Sequence, residues 1–234
     1  MTIIILLLFI ILFLLYILSI NLNTLPHYNI EFSCKFTKNN PFNNSRYILL
    51  FKTPHFINKE HIIFREFNIN KEFKDFYYDN SIKPIELILG FDNDISKIYF
   101  AEYNNNIYGL AKNKDKYIKR YYKSLYNLNK SLIDKFIGEA KSTILYKLFN
   151  IKDKNYIYEK YEDDIITSYH IRLNFYKIKD YIIQIKELLK LFECNVSNID
   201  LWINKNKNYY IRWIGITKKN NNFEVTFYYR KEPK

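Results

Sequence analysis

Residues 84–111 read PIELILGFDNDISKIYFAEYNNNIYGLA, and this run sets the fold class. Three segments rich in β-branched and aromatic residues, IELILGF, ISKIYFAEY and IYGLA, are separated by Asp92-Asn93-Asp94 and Asn104-Asn105-Asn106. Asp and Asn favour turns because their side chains bond their own backbone, so the run predicts antiparallel strands joined by tight turns. Strand alternation then puts Lys97 and Tyr99 on one face and Ile98 and Phe100 on the other. Asp92, Asp94 and Glu102 form a candidate acid–base pair or cation site, although turn residues capping a hairpin fit the D-N-D run better.

Outward from this run, further strands are expected at 46–52 (RYILLFK), 61–67 (HIIFREF) and 165–176, with three more at 199–204, 208–217 and 223–230. In 165–176, Tyr169, Ile171, Leu173 and Phe175 share one face and Ser168, His170, Arg172 and Asn174 the other. Helical spacing is read at three places. In 116–128, Tyr117, Ile118, Tyr121, Tyr122, Leu125 and Leu128 fall opposite Lys116, Lys119, Arg120 and Lys123, which describes a basic amphipathic helix. A second helix begins at Ser131 and carries an apolar stripe from Leu132 to Leu148, and a third covers 178–192. The expected fold is α+β: a mostly antiparallel sheet of seven or more strands with about three packed helices, in a single domain over 29–234.

A different signal precedes that domain. From Ile3 to Ile20 there is no charge, proline or glycine. As a helix these residues rise ~27 Å against a hydrocarbon core of ~30 Å, which predicts an uncleaved N-terminal transmembrane anchor over 1–20, followed by a linker over 21–28. No Lys or Arg precedes the run, and no pair of small residues marks a signal-peptide cleavage site. Lys35 and Lys38 lean the expectation toward a single-pass protein with its domain on the cytosolic side.

The net charge is +12, concentrated at 110–154 (net +8) and 201–234 (net +6). Lys, Asn, Ile and Tyr dominate, as codon usage in an AT-rich genome would impose, and the cations are 30 Lys against 6 Arg. Arg is the residue whose planar fork suits specific phosphate recognition. Four glycines exclude a phosphate loop or dinucleotide fingerprint, and no hydrolase or zinc motif occurs. His55 and His61 lack partners at ligating spacing, and Cys34 and Cys194 are too few for a disulfide framework, so no metal and no cofactor is expected.

Two candidate surfaces remain. One is the basic helix, Lys116, Lys119, Arg120 and Lys123, facing anionic lipid or another polyanion. The other is a sheet face on which Lys97, Tyr99, Arg172, Arg212, Tyr228 and Arg230 would clamp a diphosphate, with cations neutralising its charge and rings flanking an apolar tail. An internal echo links LILGF and KIYF (87–91, 97–100) with RWIGI and VTFYYR (212–216, 225–230), as in two similar hairpin-plus-helix halves.

Lys97-Ile98-Tyr99-Phe100 resembles the Lys-x-Tyr strand motif of the ABBA-type aromatic prenyltransferases. The resemblance covers four residues. It implies a ten-stranded barrel in which such residues hold a prenyl diphosphate; in the late hairpin Thr226 stands two residues before Tyr228, where the lysine would be. The leading expectation is a membrane-anchored binding or scaffold module meeting anionic lipid, nucleic acid or a protein partner. The alternative is an enzyme acting on a phosphate-bearing or prenyl diphosphate substrate.

Overall fold

A computed structural model describes residues 24–39, 43–80, 84–92, 94–102, 105–114, 116–125, 130–151, 157–219 and 222–231. The apolar segment 1–20 lies outside the described residues. Among those described, no helix is long and apolar enough to cross a membrane.

Ten strands form one closed barrel: β1 (Tyr28–Phe36), β2 (Asn43–Lys52), β3 (Glu86–Asp92), β4 (Asp94–Ala101), β5 (Ile107–Asn113), β6 (Lys116–Leu125), β7 (Ile157–Glu162), β8 (Ile165–Lys177), β9 (Tyr210–Lys219) and β10 (Asn222–Arg230). Each pairs antiparallel with its sequence neighbours, and β1 closes the circle on β10. The expected antiparallel sheet is present, but as a barrel with no free edge. At one end lie the five tight hairpin connections, β1/β2, β3/β4, β5/β6, β7/β8 and β9/β10. At the other lie the short β4/β5 connection and three longer, helix-bearing crossovers, together with the start of β1 and the end of β10.

Six helices ride on the crossovers. Helices α1 (Glu60–Glu66) and α2 (Lys71–Asn80) join β2 to β3; α3 (Lys130–Ile137) and α4 (Glu139–Leu148) join β6 to β7; α5 (Ile182–Leu191) and α6 (Ile199–Asn206) join β8 to β9. The core therefore lies outside the barrel wall. Leu49, Phe51, Leu87, Leu89, Ile98 and Phe100 turn outward onto α1 and α2. Cys34, Phe36, Ile171, Ile214, Val225 and Phe227 meet the remaining helices. Trp202 of α6 is fully buried there, edge-on to Phe36 and stacked 5.7 Å from Phe227. Each such side chain contributes about 1.5–3 kcal/mol by leaving water.

Four expectations require correction. The segment 116–125 is strand β6, not a basic helix: ten residues rich in Tyr and Ile fit period 2 as well as period 3.6, and pairing with both β5 and β7 decides between them. The segment 61–67 lies largely within α1, whose consecutive Ile62, Ile63 and Phe64 are all buried, a pattern no half-buried strand produces. The segment 199–204 belongs to α6, where Ile199, Trp202, Ile203 and Asn206 are buried at i, i+3, i+4 and i+7. Finally, the helix from Ser131 is two helices, broken at Gly138, whose φ of 90° suits glycine, and Ile144 of the expected stripe is exposed.

Candidate functional site: a charged lumen

With the outer face of the wall committed to helices, alternation sends the other half of each strand inward. In an eight-stranded barrel side chains just fill the interior, and diameter grows with strand number. What faces inward here is mostly polar and aromatic, with one aliphatic patch. Five of the six arginines, Arg46, Arg120, Arg172, Arg212 and Arg230, fall on lumen positions, while Arg65 is exposed on α1.

In the hairpin half, Asp92 at the end of β3 sits between two cations, 2.6 Å from Arg46 Nε and 2.5 Å from Lys97 Nζ, and accepts from Ser96 Oγ at 3.0 Å. Glu162 at the end of β7 repeats the arrangement, 2.7 Å from Arg120 Nε and 2.5 Å from Lys160 Nζ. Four cations thus share two carboxylates. Burial works against the Asp92 carboxylate, but Lys97 and Arg46 outweigh it and hold its pKa at about 2. Burial and the neighbouring arginines, Arg46 for Lys97 and Arg120 for Lys160, draw both ammonium groups down to about 8.

Aromatic rings border this cluster. Arg120 Nη1 donates to Tyr99 Oη at 3.0 Å. An arc then runs from Tyr99 to Tyr122 (5.7 Å between ring centroids), to His170 (5.3 Å) and to Tyr228 (5.6 Å). His170 shares a 3.1 Å hydrogen bond with Ser168 Oγ. Burial, reinforced by Lys160 and Arg120, pushes its pKa down to about 3, so its imidazole is neutral. Beside the tyrosines Leu50 and Ile88 pack with Tyr99, and Ile48, Ile107 and Tyr122 border them, forming an apolar wall.

The crossover half holds a second charged group. Arg212 Nη1 lies 2.5 Å from Glu31 Oε1, and Glu31 is 2 % exposed. A bulge in β9 turns both Arg212 and Trp213 inward, since Tyr228 pairs with Trp213 and Tyr229 with Ile211. The Arg172 and Arg212 guanidiniums sit 5.9 and 5.8 Å from the Trp213 ring, and that of Arg230 sits 4.8 Å from Phe175. Glu86 shares the space. Burial raises its pKa, against the opposing pull of Lys52 and Arg212.

The six residues expected on one sheet face, Lys97, Tyr99, Arg172, Arg212, Tyr228 and Arg230, do share the inner surface, divided between the two halves. The other expected surface disperses: Lys119 and Lys123 are exposed on β6, Lys116 is exposed at its hairpin end, and Arg120 is inside. Asp92 acts as an ion-pair partner for two cations. Among the described residues no group of three His, Cys, Asp or Glu could hold a metal ion, His55 and His61 are exposed, and Cys34 and Cys194 are free and buried. Sequence reasoning missed Arg46, Lys160, Glu162, Tyr122, His170, Glu31, Glu86 and Trp213. The scarcity of Arg was the usable signal, since five of so few arginines occupy alternate strand positions.

No family model matches the chain, and no curated protein matches it. Among solved structures, the crystal structure of NotF prenyltransferase is similar in fold, with a TM-score of 0.56 over 87 % of this chain and 80 % of that one, at 10 % sequence identity.

Proposed function

We propose that the barrel is a prenyltransferase-like enzyme, binding a prenyl diphosphate in the hairpin half of its lumen and passing the prenyl group to an acceptor in the crossover half. One observation carries the reading: in a chain whose cations are overwhelmingly lysine, five of the six arginines are placed inside, where codon bias has no reason to put them. A half-buried excess of cations is stable only beside an anion, and the guanidinium fork matches phosphate oxygens. The fold likeness to a prenyltransferase and the Lys97-x-Tyr99 pattern support the same reading.

The chemistry assigns each group a task. The allylic C–O bond breaks with its electron pair departing on the diphosphate, whose charge Arg46, Lys97, Arg120 and Lys160 neutralise. The allylic cation rests against the faces of Tyr99, Tyr122 and Tyr228, and the apolar wall around Leu50 and Ile88 receives the hydrocarbon tail. The acceptor supplies the electron pair of the new bond and gives up a proton to Glu86, whose raised pKa makes it a stronger base than an ordinary carboxylate. In this proposal residues 1–20 hold the barrel at a membrane, into which such apolar substrates partition. The basic-helix surface behind a lipid-binding scaffold is not part of it, because β6 divides those cations between outside and inside.

Calorimetric titration of the full chain with geranyl diphosphate, geranyl monophosphate and geraniol tests the reading. Affinity should fall in that order. Lys97→Ala and Lys160→Ala should each weaken diphosphate binding about 10- to 100-fold, the loss of one charge-assisted contact. Each leaves a carboxylate still paired, Asp92 to Arg46 and Glu162 to Arg120. Geraniol binding as well as the diphosphate, or both variants behaving as wild type, would overturn the proposal.

A further inference from the structure

The crossover half of the lumen gathers three guanidiniums, those of Arg172, Arg212 and Arg230, near the carboxylates of Glu31 and Glu86. Arg212 Nε and Arg230 Nε are buried with no hydrogen-bond partner among the described residues, and Glu31 engages Arg212 through Nη1. Arg230 is held near Arg212 and Arg172, and their like charges add to the burial that lowers its pKa. Leaving a buried donor unpaired is costly, and a cluster of like charges more so. Flat surfaces complete the enclosure: Trp213 lies beside two guanidiniums, Tyr158 is 5.3 Å from Trp213, and Phe175 lies against Arg230.

We infer that Arg172, Arg212 and Arg230, with Trp213, Tyr158 and Phe175, form a second anion subsite that receives the carboxylate of a planar aromatic acceptor. A fork of N–H donors fits a carboxylate edge, and ring walls fit a planar body. The inference rests on the transferase reading for the word acceptor, but the subsite stands on its own geometry. It sets substrate class: an aromatic acid reaches the lumen carboxylate-first toward the crossover end, which leaves its ring directed at the tyrosine arc where the prenyl cation forms.

Trp213 supplies a reporter, since Trp202 is sealed in the outer core. The full chain is titrated with naphthalene-2-carboxylate and with its neutral carboxamide, following tryptophan fluorescence, with Trp213→Phe as the control that removes the signal. The carboxylate should bind about tenfold or more tightly than the amide. Arg230→Gln should bring the two to parity, and Arg230→Lys should restore part of the preference. Among the described residues Arg230 forms no salt bridge with a carboxylate, so its loss orphans none of those acids, and an unchanged melting temperature verifies folding. Equal binding of acid and amide, an unaffected preference in Arg230→Gln, or displacement of the acid by equimolar inorganic phosphate would each overturn the inference. Geranyl diphosphate binding separates the two proposals: retained without carboxylate preference, it removes only the subsite; lost while the preference persists, it removes only the transferase reading.

Discussion

The ring of Tyr99 occupies the space where Gly109 would carry a side chain: a Cβ at Gly109 would stand 1.9 Å from Tyr99 Cδ1. The two residues are register partners on β5 and β4. The missing side chain lets the ring lie against the wall with its hydroxyl at Arg120. Gly109→Ala therefore has to expel the Tyr99 ring. We expect a destabilisation of about 1–3 kcal/mol, as for overpacking, together with loss of geranyl diphosphate binding. Denaturant melts and calorimetry read both, and Gly109→Ala combined with Tyr99→Ala should recover stability but not binding.

Glu31 and Arg212 form the most enclosed ion pair described in the lumen. Arg212→Ala leaves a buried carboxylate without its cation and should cost about 3–5 kcal/mol. Glu31→Gln keeps the shape and a hydrogen-bonding oxygen, so it should cost clearly less. Equal losses in urea unfolding would mean that packing, not charge, holds this pair.

Diphosphate binding should depend on pH through Lys97 and Lys160. Both have a pKa near 8 in the free protein, so both carry charge at neutral pH and lose it as pH rises through 8. Affinity for geranyl diphosphate should fall as pH rises above 8, with protons taken up by the two lysines on binding there. The same shifts act oppositely on stability. A lysine whose pKa is lower folded than unfolded opposes folding while charged, so that cost fades as pH rises from about 8 toward its unfolded value.

The acid limb should carry the signature of His170. Its pKa is about 3 in the fold, below the ordinary 6.5, so the unfolded chain binds the proton first. Its contribution is complete above pH 6.5 and is lost as pH falls toward 3. His170→Phe should flatten the stability profile between pH 6.5 and 4. Asp92, held at about 2 against an ordinary 3.8, contributes fully above the ordinary carboxylate range, and that stability is lost only as pH falls through 3.8 toward 2.

Trp202 tests where the core lies. Trp202→Ala should cost about 3–5 kcal/mol, because the side chain is fully buried against Phe36 and Phe227 outside the wall. If the core instead filled the barrel, this exposed-helix position would tolerate the change in a thermal melt.

Local pattern alone was enough for the strands in which one face is apolar and the other is not. Residues 84–111 and 165–173 show their turns, their period and their inward residues without reference to anything distant, because the pleat alternates side chains whatever the partner strand is. It sufficed too for placing Lys97 and Tyr99 on one face, while the apolar run at 1–20 stays an expectation outside the described residues. Where both periods fit, as in 116–125, the sequence was ambiguous, and only hydrogen bonding to β5 and β7 resolved it. Closure was decided wholly by tertiary structure: the β1–β10 pairing joins residues nearly two hundred apart, and no local signal states that two edges meet. That one long-range pairing also turned a sheet face into a lumen. Arg46 and Arg120 are 74 positions apart, yet both face the same interior because six helices claimed the other side of the wall for the apolar residues and left the inside for the charges.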